Sequence, residues 1–104
     1  MLVSAAYVPG GPPMLVLTFD RAIDLSAFDG SAVTVRDGEG SGWLWQATLG
    51  WELLDPTSAQ FALDFVEEAS GPGVVLNATS ASGIVAVDDG ATWGGATDMA
   101  LPFP

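Results

Sequence analysis

Apolar and polar residues alternate in short segments along most of this chain. In the segment Met14–Phe19, for example, every second residue is large and apolar (Leu15, Leu17 and Phe19). Successive side chains of a β-strand face opposite sides of the sheet, so this period predicts strands with one buried face. The predicted strands are Leu2–Val8, Met14–Phe19, Ala32–Arg36, Trp43–Leu49, Trp51–Asp55, Ala59–Phe65, Val74–Ala78 and Ile84–Val87.

Clusters of glycine, proline and aspartate separate these segments about every ten residues. Short apolar segments at such spacing are typical of a β-sandwich or a β-barrel. We predict one all-β domain, an antiparallel sandwich of about seven to eight short strands. The clusters are Pro9–Pro13, Asp29–Gly30, Asp37–Gly42, Asp55–Pro56, Gly71–Gly73, Ser82–Gly83, Asp89–Gly90 and Gly94–Gly95.

The segment Asp20–Gly30 is the one stretch with apolar residues at helical spacing. It is short and ends in glycine, which allows no more than about one helical turn. We therefore predict a crossover loop whose Ile23, Leu25 and Phe28 side chains fill part of the core.

The alternation ends near Ala91. Residues 91–104 include two prolines and two adjacent glycines, and because proline donates no ladder hydrogen bond, this segment is not predicted to be a central strand. Residues 1–90 are predicted to form the sandwich, and residues 91–104 an irregular extended tail that either packs on the same domain or serves as a partner-binding arm. The bulky apolar residues of the tail are Trp93, Met99, Leu101 and Phe103.

The composition removes most catalytic chemistry. The 104 residues suffice for one domain, 49% of them are hydrophobic, and there is no histidine, no cysteine and no lysine. Nucleophilic triads, zinc sites and haem sites therefore lack their usual residues. Glycoside hydrolysis by paired acids would leave Asp64, Glu67 and Glu68 as candidates, but a chain this short rarely forms a deep cleft. We predict that the protein is not an enzyme and uses no cofactor.

The charge is strongly negative, because 13 acidic residues face only two basic ones, Arg21 and Arg36, for a formal net charge of -11. Such a surface repels phosphate, so neither nucleic acid nor an anionic membrane is a predicted partner. The charge either steers the protein toward a basic partner or serves only solubility, as in proteomes that are acidic throughout.

Neither a signal peptide nor a membrane span is predicted. The first residues lack a basic region followed by an apolar one. No apolar run approaches the roughly 20 residues that cross a bilayer. We expect a short, complete reading frame whose product is made in the cytoplasm.

Calcium is the metal ion that the abundant carboxylates would suit. Asp20 and Asp24 lie in one predicted loop, and Asp88–Asp89 lies in another. No segment matches the D-x-[DN]-x-[DN]-G loop, and aspartate commonly caps turns through its own neighbouring backbone. No metal site is predicted.

The four tryptophans allow two interpretations, as binding residues or as core residues. Trp43 and Trp45 share one face of a predicted strand, and Trp51 follows them. Exposed aromatic residues can bind a sugar or a protein, whereas a buried tryptophan is ordinary in a sandwich core. We predict that one of Trp43 and Trp45 is in the core and that Trp93 contacts something outside the domain.

The run Leu15-Val16-Leu17-Thr18-Phe19-Asp20, the loop after it and the run Phe28-Asp29-Gly30-Ser31-Ala32-Val33-Thr34-Val35 resemble bacterial and phage immunoglobulin-like domains. Those domains pair an L-x-L-x-F strand that carries an acid with a downstream F-x-V strand. Asp55-Pro56-Thr57 before Phe61-Ala62-Leu63 continues the pattern, so the resemblance covers residues 1–90. It implies an immunoglobulin-like sandwich in an adhesive or structural module, with no catalytic residues to transfer.

A free-standing acidic domain of this kind also looks like a small virion protein. The leading hypothesis is a non-enzymatic capsid decoration or cement protein that binds the outer surface of a shell, with the major capsid protein as partner and its own copies at symmetry-related positions. The alternative is an extracellular adhesion or carbohydrate-binding module that uses exposed tryptophan and calcium. The predicted partner-binding residues are Trp93, Met99, Leu101, Phe103 and Pro12.

Overall fold

Nine β-strands and two 3₁₀ helices make up the part of the chain that the computed structural model describes, which is residues 2–8, 10–37, 43–68 and 74–101. The side chains of Asp37, Trp43, Glu67, Glu68 and Asp98 are outside that description. The strands are β1 (Leu2–Val8), β2 (Met14–Phe19), β3 (Ile23–Asp24), β4 (Val33–Asp37), β5 (Trp43–Asp55), β6 (Ser58–Glu68), β7 (Val74–Thr79), β8 (Val85–Ala86) and β9 (Gly95–Ala100). The 3₁₀ helices are Gly30–Ala32 and Ser80–Ser82. The all-β prediction is confirmed.

Seven of these strands form one antiparallel sheet in the order β1-β2-β6-β5-β4-β7-β9, and β3 pairs with β8 separately. The long hairpin of β5 and β6 joins the two halves of the sheet. The part of β5 before Ala47 pairs with β4 as well as β6, whereas the part after Thr48 pairs with β6 alone. β6 in turn pairs with β2 only up to Ala62. The segments Trp43–Leu49 and Trp51–Asp55, predicted as two strands, are therefore one strand whose register shifts between Gln46 and Gly50.

The inner faces of both halves of the sheet bury into one hydrophobic core. Leu17 of β2 and Phe61 of β6 come from one half, and Val35 of β4 and Leu76 of β7 come from the other. All four side chains are fully covered and belong to the same cluster. A flat sheet cannot bring the two halves together in this way, so the sheet is curled.

The loop between β2 and β4 closes one end of this core, as predicted. Ile23 and Leu25 are buried, and the ring of Phe28 packs on Phe61 with centroids 4.8 Å apart. Asp29 caps the first 3₁₀ helix by accepting a hydrogen bond from the N–H of Ser31.

The C-terminal segment differs from the predicted irregular tail. Residues Gly95–Ala100 form β9, which pairs antiparallel with β7 at the edge of the sheet. The N–H of Leu101 then donates to the carbonyl of Val74 at 2.9 Å, so this segment continues the sheet of the domain. The prolines that argued against a strand, Pro102 and Pro104, follow β9 and lie outside the described residues. Small residues such as Ala96 and Ala100 left no alternation for the sequence to show.

Candidate functional site

The five residues predicted to bind a partner are not gathered at one surface. Trp93 is only 4% exposed and packs edge-on against Phe19 with ring centroids 5.5 Å apart. Leu101 is buried, and Met99 packs against the core. Pro12 is exposed in the loop between β1 and β2, and Phe103 lies outside the described residues. Trp93 and Leu101 are covered by this chain's own residues, so the predicted binding residues do not form one exposed contact surface.

The most apolar exposed surface among the described residues lies on the second half of β5. We call it the edge strip, and it consists of Leu49 (54% exposed), Trp51 (45%), Leu53 (42%) and Leu54 (51%). Isolated exposed apolar side chains are ordinary, but four within six residues of one strand are not.

Two side chains of the edge strip face the inner side of the sheet. Trp51 lies opposite Phe61 in the β5–β6 ladder, and Leu53 lies opposite Ala59. Residues directly opposite each other in an antiparallel pair share a face, and both β6 residues are fully buried. Trp51 and Leu53 therefore extend the core face to the rim of the sheet, where no described residue completes their cover.

The backbone groups of the same two residues point away from β6. The N–H of Leu63 donates to the carbonyl of Pro13 at 2.9 Å, on the β2 side of β6. The N–H and C=O directions alternate along a strand, so Phe61 and Ala59 also face β2, whereas Ala62 and Gln60 face β5. Their partners on β5 are Gly50 and Glu52. It follows that the N–H and C=O groups of Trp51 and Leu53 face the open edge.

No other element fills that edge in the described part of the chain. β4 pairs with β5 only as far as Gln46, and no described residue outside the β5–β6 ladder forms a hydrogen bond with Trp51 or Leu53. A free edge with apolar side chains is a template for another strand, and proteins normally cover or charge such edges.

Both ends of the free edge are closed. The first 3₁₀ helix packs so tightly on β5 that a Cβ added to Gly30 would lie 1.8 Å from the carbonyl oxygen of Ala47. The side-chain amide of Gln46 also donates to the carbonyl of Ser31 at 3.5 Å. At the other end, β5 enters the turn that Asp55 caps. The open stretch is therefore residues 49–54.

All the charged residues in the hairpin that carries the edge strip are acidic. Residues 43–68 contain Glu52, Asp55, Asp64, Glu67 and Glu68 and no lysine or arginine. The amide of Gln60 donates to Glu52 at 3.4 Å, on the face of the hairpin opposite Trp51 and Leu53. The surroundings of the edge strip thus favour a cationic partner.

Three of the aspartates considered for calcium converge on a cation supplied by the chain itself. The Arg21 guanidinium lies 3.0 Å from Asp20, 3.3 Å from Asp89 and 3.9 Å from Asp88. The hydrogen bond from Arg21 is the main reason why the pKa of Asp20 lies below its ordinary value. The described residues contain no group of three or more residues arranged to hold a metal ion.

The fourth aspartate considered for calcium, Asp24, caps a turn by accepting a hydrogen bond from the N–H of Ser26 at 2.8 Å. That hydrogen bond is the main cause of its lowered pKa. Asp64, which was weighed as a catalytic acid, is exposed opposite Gln46, and the side chains of Glu67 and Glu68 lie outside the described residues.

Of the predicted tryptophan pair, Trp45 is partly buried against the core. Its ring packs edge-on against that of Phe65, with ring centroids 5.5 Å apart. The side chain of Trp43 is outside the described part of the chain.

A groove of ≈ 500 Å³ with a mixed polar and apolar lining lies over β4, β7 and β9. Three of its polar side chains are already used within the chain: Asp29 accepts from Ser31, Thr34 donates to the carbonyl of Asn77, and Thr79 accepts from the N–H of Ala81. The lining has no aromatic ring on which a sugar would stack. The groove is therefore a weaker candidate for binding than the edge strip.

No protein-family model matches this chain, and comparisons with curated proteins and with solved structures return no match. No helix within the described ranges has both the length and the apolar character needed to cross a bilayer.

Proposed function

We propose that this protein is a non-enzymatic interaction protein that binds a partner protein through the edge strip of β5. The observation that carries the proposal is the half-exposed Trp51 and Leu53 on the inner face of an unpaired strand edge. Covering the apolar surface of four such residues is favourable at about 25 cal/mol per Å². Tryptophan is also among the residues that most often dominate binding energy at protein interfaces.

The setting that we propose is a virion, with the protein acting as a capsid decoration protein on the outer surface of a shell. The immunoglobulin-like relationship belongs to this proposal, because it rests on the sequence resemblance and on an all-β antiparallel fold that agrees with it. A small acidic domain with one apolar strip suits a protein that docks on a larger basic surface.

The test is co-sedimentation of the protein with shells assembled from the capsid protein encoded beside it. The wild-type protein is expected to pellet with the shells in saturable amounts. The double variant Trp51→Thr/Leu53→Thr keeps residues that favour β-strands but removes the apolar surface. It is expected to lose binding at least about tenfold, which corresponds to about 1.4 kcal/mol.

The matched control is Val3→Thr/Val87→Thr. These two valines are each 62% exposed, and neither lies on β5. The control variant removes exposed apolar surface elsewhere and is expected to bind shells as the wild type does. Loss of binding in both variants, or in neither, would contradict the edge strip as the docking surface. A genome without a shell-forming protein nearby would contradict the virion setting.

A further inference from the structure

We propose that the partner of β5 is an extended segment with alternating apolar and basic residues, which pairs antiparallel with the free edge at residues 49–54. This inference rests on the proposed function and specifies the mode of binding and the chemistry of the partner. Binding by strand addition uses backbone hydrogen bonds for affinity and alternate side chains for specificity.

The direction of the backbone groups sets the register of the added strand. Trp51 and Leu53 present both N–H and C=O to the open edge. In an antiparallel pair, the residues that exchange both hydrogen bonds lie directly opposite each other and share a face. The residues of the partner that bond to Trp51 and Leu53 therefore lie on the apolar inner face.

The remaining residues of the added strand lie on the outer face. Glu52, on the same strand, faces that side together with Gln60. A lysine or arginine on the added strand would lie beside this carboxylate. The predicted pattern is thus an apolar residue opposite each of Trp51 and Leu53, with basic residues between them.

The length of the partner segment follows from the closed ends of the edge. The first 3₁₀ helix covers β5 at Ala47, and the turn at Asp55 ends it. A strand rises about 3.4 Å per residue, so the open stretch accommodates a segment of about six residues.

Charge favours a foreign basic segment over a second copy of this chain. Each copy has a formal net charge of -11, and its own edge carries Glu52 and Asp55. Pairing two β5 edges would bring like charges together, which is destabilising in a β-ladder. A basic segment would instead be attracted to Glu52 and Asp55.

The test uses three synthetic heptapeptides with the sequence Lys-Val-Lys-Val-Lys-Val-Lys, capped at both ends, at about 0.15 M salt. The first is unmodified, the second has N-methyl groups on the valines, and the third has N-methyl groups on the lysines. In the predicted register, the valine N–H groups donate to β5 and the lysine N–H groups point away from it. The two methylated peptides carry the same charge, so nonspecific attraction to the acidic protein does not separate them.

The unmodified peptide is expected to slow amide hydrogen exchange at Trp51 and Leu53 and to shift the fluorescence of Trp51 to shorter wavelength. The lysine-methylated peptide is expected to bind in the same way. The valine-methylated peptide is expected to bind at least about tenfold more weakly, a loss of about 1.4 kcal/mol. In the variant Trp51→Phe the fluorescence shift should be absent, because the fluorophore at the free edge is removed.

Equal behaviour of the two methylated peptides, whether both bind or neither does, would overturn strand addition in this register. A dimer without peptide, protected at Trp51 and Leu53, would also overturn it, because a second copy would then occupy the edge. If the wild-type protein binds shells but the two methylated peptides bind equally well, the proposed function stands and strand addition in this register is wrong. Discrimination between the peptides without shell binding would instead remove only the virion setting.

Discussion

At the scale of single residues, several aspartates of this chain act as turn-forming side chains. Asp24, Asp29 and Asp55 each accept a hydrogen bond from the backbone N–H two residues later, at 2.8 to 3.0 Å. Their side chains thereby replace a backbone partner at points where the chain leaves a strand or enters a 3₁₀ helix. Part of the acidity of the chain is therefore structural, and the sequence pattern of aspartate followed by serine or threonine at the second position marks it.

The turn at Asp55 predicts a specific dependence of stability on pH. The hydroxyl of Thr57 and then its N–H hold the pKa of Asp55 below its ordinary value of 3.8 in the folded protein. A carboxyl whose folded pKa is lowered stabilises the fold above its unfolded pKa, and that stabilisation is lost as pH falls through the folded value. Asp55→Asn keeps the acceptor oxygen but not the charge. It should unfold at a lower urea concentration than the wild type at pH 6, and the difference should shrink toward zero at an acidic pH well below 3.8.

Two further variants separate the charge of Asp55 from its hydrogen bonds. Asp55→Ala removes the acceptor and should destabilise the protein at both pH values. Asp64→Asn removes the same charge from an exposed residue on the same hairpin, which controls for relief of charge repulsion. A pH-independent difference between Asp55→Asn and the wild type would contradict this account.

At the scale of elements, β9 is the strand that the sequence pattern did not predict. Its first residue, Gly95, has φ = +95°, and a Cβ at that position would lie 2.1 Å from the carbonyl oxygen of Ala78 on β7. Only glycine allows both the backbone conformation and this close approach. Gly95 thus begins a closely packed edge strand, although the sequence pattern predicts an irregular extended tail there.

Gly94 and Gly95 provide a matched pair of substitutions at neighbouring positions. Gly95→Ala should lower the free energy of unfolding by about 1–3 kcal/mol, because it forces a strained conformation and displaces β9 from β7. A Cβ at Gly94 would meet no atom within 4 Å, so Gly94→Ala should change stability by less than about 0.5 kcal/mol. Urea unfolding of both variants measures the difference, and equal midpoints would show that β9 does not depend on this approach.

At the scale of the whole molecule, the sequence pattern predicts individual strands but not the order in which they pair. Alternation predicted β1 and β2 to the residue, because side-chain direction in a strand depends only on neighbouring positions. The order of the strands was not predictable, since it depends on pairings between distant segments. The edge strip follows from that order, because the sequence alone leaves open whether Trp51 and Leu53 are buried. They are exposed only because the chain before β4 turns into a 3₁₀ helix instead of pairing with them.

The net charge of the molecule makes its stability depend on salt in a predictable direction. At about 0.01 M salt the screening length is about 30 Å, and at 0.15 M it is about 8 Å. The radius of gyration is 12.8 Å, so at low salt every carboxylate repels nearly all the others, whereas at 0.15 M only near neighbours interact. Self-repulsion destabilises a compact state. The urea midpoint should therefore rise between these two concentrations of sodium chloride, and Arg21→Gln, which releases Asp20, Asp88 and Asp89 from their shared cation, should make the rise steeper.

Calcium and magnesium chloride at matched ionic strength should stabilise the protein equally, because both then act by their charge alone. A larger effect of calcium would reveal a specific site among the carboxylates, and a midpoint that falls with salt would show that attraction around Arg21 outweighs repulsion across the molecule.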